Sequence, residues 1–143
     1  MPRLSRWFLC AAAFYLLGGV TAGALMLSAP AIGVTIPGWV LPLHIEFVMI
    51  GWAVQLAMGI AYWILPRHRS DHGRGNEPLA WAAFLTLNAG VLLAGTGWLI
   101  TPAGGLPALG HGAELLGAIG FAINIWRRLP RSIAPPLRPL PIL

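Results

Sequence analysis

The chain has 143 residues, of which 57% are hydrophobic and only 9% charged, with a mean hydropathy of +0.75. A soluble domain carries roughly 25% charged residues to wet its surface, so a water-facing globule is excluded, and the apolar content equally excludes disorder. The net charge of +5 comes from arginine alone, and the lack of lysine excludes a Schiff-base cofactor such as retinal. These arginines flank apolar runs, where they orient a membrane protein rather than bind nucleic acid. The single cysteine, Cys10, allows no disulfide or thiolate cluster and reads as a small packing residue.

Four apolar runs follow in chain order, at about residues 7–28, 43–65, 79–100 and 108–126, each near the ~20 residues a bilayer-crossing helix needs. Inside a bilayer the backbone must satisfy itself as helix, and uninterrupted apolar runs exclude the alternating strands of a β-barrel. The first run, preceded by Arg3 and Arg6, exceeds the 7–15 residue core of a signal peptide and is expected to remain as a span. Arg67, Arg69 and Arg74 lie between runs two and three, and Arg127, Arg128, Arg131 and Arg138 follow run four. The two remaining connections have no charge. The positive-inside rule then places both termini and the middle loop in the cytoplasm. Trp7, Trp63, Trp81 and Trp126 fall at inner ends, Trp39 and Trp98 at outer ends. The fold expected is an all-α, up-down four-helix bundle in the inner (plasma) membrane, formed by residues 1–131. A Pro-rich, extended cytoplasmic tail follows at residues 132–143.

Runs two and four are alike. Each starts after Leu-Pro (Leu41–Pro42, Leu106–Pro107) and ends in Leu-Pro-Arg (Leu65–Arg67, Leu129–Arg131). Both are expected to run from outside to inside as the second members of two parallel hairpins.

Ionisable groups inside spans are costly and mark functional positions. Four qualify: His44 and Glu46 in run two, His111 and Glu114 in run four. His68 and His72 lie in the arginine-rich loop and read as solvated. His44 and His111 lie just after Pro42 and Pro107, hence at similar depth on helices that stand diagonally in an up-down bundle. Such a pair can grip a haem iron from both sides. At about 100° per residue, Gly51, Gln55, Gly59 and Tyr62 share a stripe with His44, and two glycines there would let a flat macrocycle approach the backbone. His111, Ala118 and Ala122 form a matching stripe. Close helix packing would use the same small residues.

Glu46 points about 160° away from the His44 stripe. Both Glu46 and Glu114, near helix starts, suit the helix dipole and read equally as interfacial residues. Gln55, Asn88 and Asn124 are candidates for hydrogen bonds between helices. Gly19-x-x-x-Gly23 signals a helix contact in run one.

Run two reads His44-Ile-Glu46, then Gly51-Trp52, then Gly59-Ile-Ala-Tyr62-Trp63-Ile-Leu65-Pro66-Arg67. This resembles the second helix of subunit I in the C-family (cbb-type) haem-copper oxidases and the related nitric oxide reductases, and is more similar still to short four-span relatives of that subunit. Asn88-Ala-Gly90 and the Trp126-Arg-Arg ending also resemble the short relatives. The resemblance implies that His44 ligates low-spin haem. Where many short relatives carry a second histidine, this chain has Glu46. The full enzymes hold a histidine cluster opposite a second haem, which four histidines, two of them in a loop, do not supply. Oxygen or nitric oxide reduction at a binuclear centre is therefore not expected.

The function expected is a homodimeric membrane protein binding haem b through His44, with His111 as second ligand and Gly51, Gln55 and Gly59 lining the cofactor. Six-coordinate iron would suit electron transfer with quinol or a cytochrome; ligation by His44 alone would leave a position for nitric oxide, oxygen or carbon monoxide. The alternatives are a haem-free membrane scaffold or assembly subunit, and a small proton-coupled dimeric transporter using Glu46 or Glu114.

Overall fold

The computed structural model describes residues 1–65, 76–100, 104–126 and 128. Regular structure within them is entirely helical. Helix α1 (Arg3–Ser28) runs into a 3-10 turn at Ala29–Ile32, and α2 (Val40–Ile64), α3 (Glu77–Ile100) and α4 (Gly105–Trp126) follow. All four are long and apolar enough to cross a bilayer. Leu17, Leu27, Ile64, Leu116 and Trp126 are among the large apolar side chains exposed on their outer faces. So much apolar perimeter is unfavourable in water and matches lipid; the chain is a membrane-embedded, multi-pass protein.

The helices coincide with the four expected spans but begin a few residues earlier. Leu4 and Ser5 are buried, Leu4 in the same cluster as Phe8, which extends α1 back to Arg3. Pro42 and Pro107 lie in the first turns of α2 and α4, where an amide has no intrahelical acceptor and proline costs nothing. Helix α3 is capped by Asn76, whose Oδ1 accepts from the Leu79 amide at 3.1 Å. His68, His72, the arginines of the middle loop, Pro66–Arg67, Leu129–Arg131 and the Pro-rich tail lie outside the described residues.

Helix α2 is not uniform. Between α-helical Val40–Glu46 and Gln55–Ile64, residues Phe47–Val54 form π-helical turns, whose amides bond to carbonyls five residues back.

Packing is pairwise, α1 on α2 and α3 on α4. The second pair is nearly backbone to backbone. A methyl placed on Gly90 would stand 2.7 Å from the Glu114 amide nitrogen, and one on Gly117 would stand 2.9 Å from that of Leu87. Such approach is how membrane helices gain dispersion contacts without a hydrophobic drive. The pairs meet around Phe8, which lies edge to face with Phe84 at 4.9 Å and Phe121 at 5.7 Å, with Met58 and Tyr62 of α2 completing the cluster.

Polar ties reinforce that end. Asn124 Nδ2 donates to the Asn76 carbonyl at 2.5 Å, Arg128 Nη2 donates to Asn124 Oδ1 at 3.0 Å, and the guanidinium lies 4.4 Å from the Tyr62 ring centroid. Asn124 thus bonds across helices. Asn88 instead donates to the Phe84 carbonyl of its own helix at 2.8 Å. Gln55 is fully buried, and neither polar atom of its amide has a hydrogen-bond partner among the described residues. Cys10 faces the exterior rather than the packing interface.

Candidate functional site

The first turns of α2 direct His44 at α1. Its Nδ1 stands 2.7 Å from the Gly19 carbonyl oxygen. A carbonyl only accepts, so Nδ1 carries the hydrogen, and in the neutral form of the ring the lone pair is at Nε2. The half-buried ring lies over Gly23, where an added Cβ would stand 2.8 Å from Cε1. Gly19 receives Val48 in the same way, its would-be Cβ 2.6 Å from Val48 Cγ2. The Gly19-x-x-x-Gly23 pair is therefore the α1 surface on which α2 rests.

The rest of the His44 stripe is packing surface. A Cβ on Gly51 would stand 2.6 Å from Tyr15 Cγ, and one on Gly59 would stand 2.7 Å from Phe8 Cβ. Aromatic side chains of α1 thus fill the places expected to admit a macrocycle, and Gln55 and Tyr62 are buried in the same bundle. On α4, His111 and Ala122 face outward and Ala118 is half-buried, so that stripe does not oppose the first.

The two imidazoles have separate neighbours. His111 Nδ1 is 3.1 Å from Glu114 Oε2 and 3.8 Å from Glu46 Oε2; its side chain is 57% exposed, those of both glutamates 10%. From α2 it is Glu46, not His44, that faces α4, consistent with the opposed phase of the two residues. Glu46 and Glu114 are both buried within the bundle, past the first turns of α2 and α4. The His111–Glu114 spacing of three residues, which puts both on one helical face, was the sequence signal for this cluster. Its α2 member was legible only as the residue turned away from the histidine.

For a haem, these residues fit in one respect and not in another. His44 has the form of an axial ligand, with one ring nitrogen fixed by a main-chain carbonyl and the other bare. His111, engaged by Glu114 and not facing His44, does not complete a bis-histidine pair within one chain, and Gly51 and Gly59 line no open slot. No protein-family model, curated protein or solved structure matches this chain.

Proposed function

We propose that this chain is a membrane haem protein similar to subunit I of the C-family haem-copper oxidases, with His44 the axial ligand it provides and diatomic-gas binding its activity. The observation that carries this reading is the Nδ1 contact of His44 with the Gly19 carbonyl. A ligating histidine characteristically donates its second ring N–H to such an acceptor, which fixes the tautomer and aims the free nitrogen. Haem supplies the iron at which nitric oxide, oxygen or carbon monoxide binds. Gly19 orients the imidazole, and Gly23 leaves room for it. In the plasma membrane, with arginine-rich ends cytoplasmic and the bundle up-down, His44 lies towards the outer leaflet. A homodimer would bring a second His44, and a shared six-coordinate iron would then favour electron exchange with quinol or a cytochrome.

Expression with ample haem and a reduced-minus-oxidised spectrum, with and without carbon monoxide, test this reading. A Soret band that shifts with carbon monoxide and disappears in His44→Ala is the expected result. Colourless protein would overturn it in favour of a haem-free scaffold. A second reading, favoured by the burial of Glu46 and Glu114, is proton-coupled transport. Coupled flux in haem-free proteoliposomes, lost in Glu46→Gln, would select it.

A further inference from the structure

We propose that Glu46, His111 and Glu114 form a binding site for one divalent first-row transition-metal ion, with an open coordination position towards the bundle exterior. The inference is independent of haem at His44. One ligand atom from each of the three residues lies within 4.8 Å of the other two. Ligand atoms about 2.1 Å from a tetrahedral ion stand about 3.4 Å apart. The separations of 3.1 Å and 3.8 Å from His111 Nδ1 to the two carboxylates bracket that spacing, so small side-chain movements would close the shell.

Burial leaves this cluster in need of compensation, which a bound cation would supply. Glu46 and Glu114 are each only 8% exposed, and Oε1 of each is buried without a hydrogen-bond partner. Two acids with unused lone pairs and an imidazole, set among apolar helices, form a cluster whose charge must be compensated, by a shared proton or by a cation. An ion bound there would use those lone pairs.

The donor set selects the metal class. One imidazole nitrogen with carboxylate oxygens suits zinc, iron, cobalt or manganese; calcium and magnesium favour all-oxygen shells, and copper(I) favours sulfur. Bundle metal centres are commonly built this way, from a histidine and a carboxylate three residues apart on one helix and a carboxylate from another. Three protein ligands leave a fourth position for water or a small ligand, and the exposed His111 edge gives the ion a route in.

The test uses the full chain in detergent, purified through a tag without histidine, stripped with chelator and titrated with Co²⁺, whose visible absorption reports coordination. We expect saturation at one Co²⁺ per chain, displacement by Zn²⁺, and binding weakened at least ~100-fold in His111→Ala, Glu46→Gln and Glu114→Gln, since loss of even an outer-shell partner costs 10–100-fold. His44→Ala should bind Co²⁺ as the parent does while failing to hold haem, which separates this site from the haem reading. Should a triad variant not fold, the parent titration decides together with the remaining variants. Absence of saturable Co²⁺ binding by the parent, or parent-like affinity in the folded triad variants, would overturn the proposal.

Discussion

His44 of α2 and Gly19 of α1 are joined by a hydrogen bond of 2.7 Å from imidazole Nδ1 to main-chain carbonyl. The bond ties the first helix pair together through a backbone atom that no side-chain change can remove. Interhelical hydrogen bonds in membranes average about 0.6 kcal/mol and reach about 1.7. His44→Phe, which keeps a ring over Gly23, is therefore expected to lower stability by about 1 kcal/mol in a denaturant titration of the reconstituted protein. Parent-like stability would mean that the bond contributes nothing to the pairing.

The α3–α4 contact should be sensitive at Gly90 and indifferent at Gly112. An added methyl meets Glu114 at 2.7 Å in the first case and open space in the second. Overpacking costs about 1–3 kcal/mol, while glycine to alanine in an unobstructed helix gains up to about 1 kcal/mol. Gly90→Ala should lower the melting temperature and Gly112→Ala should leave it unchanged or raised, as read by circular dichroism in micelles.

Gln55 is expected to be replaceable with benefit. Its amide is fully buried, with both polar atoms unbonded among the described residues, and an unmade hydrogen bond costs about 1–3 kcal/mol. Gln55→Leu should therefore raise unfolding free energy by about 1 kcal/mol. A loss of stability on the same scale would show that the amide has a partner, such as an ordered water.

The polar ties at the Tyr62 end can be separated by two substitutions. Asn76→Ala removes the side-chain cap of α3, worth about 1 kcal/mol, and hydrogen exchange should speed up in the first turn after Glu77. Arg128→Lys keeps the charge but loses the planar group that bonds Asn124 and stacks on Tyr62, at an expected cost of about 1–2 kcal/mol. Unchanged melting in Arg128→Lys would show that charge alone suffices there.

The helices were legible because lipid leaves the backbone one solution and because proline marks the starts of α2 and α4, whereas the Asn76 cap of α3 emerged only from the structure. Gly19 and Gly23 were legible as a contact for the same steric reason. Which neighbour each face meets was not. Periodicity placed His44, Gly51, Gln55, Gly59 and Tyr62 on one line, and they are indeed the inward line, but Tyr15 and Phe8 of α1 occupy it, and no pattern within α2 carries that information. Equal depth of His44 and His111 likewise did not imply that they face each other, since depth follows from counting residues and orientation from packing. The Glu46–His111–Glu114 cluster escaped because its members lie on two helices, so their proximity is a tertiary fact.

The pairing of α1 with α2 and of α3 with α4 also bears on how the protein is made. The first hairpin can enter the membrane and close on itself while the rest of the chain is still on the ribosome, but Glu46 then has no histidine or second carboxyl beside it. A charged side chain at the middle of a span costs about 3 kcal/mol, and Glu46, seven residues into α2, would carry part of that cost. Nascent chains halted after the second helix thus display a defect that vanishes when the fourth arrives, so that completeness of synthesis is written into the membrane as the burial of a single acid.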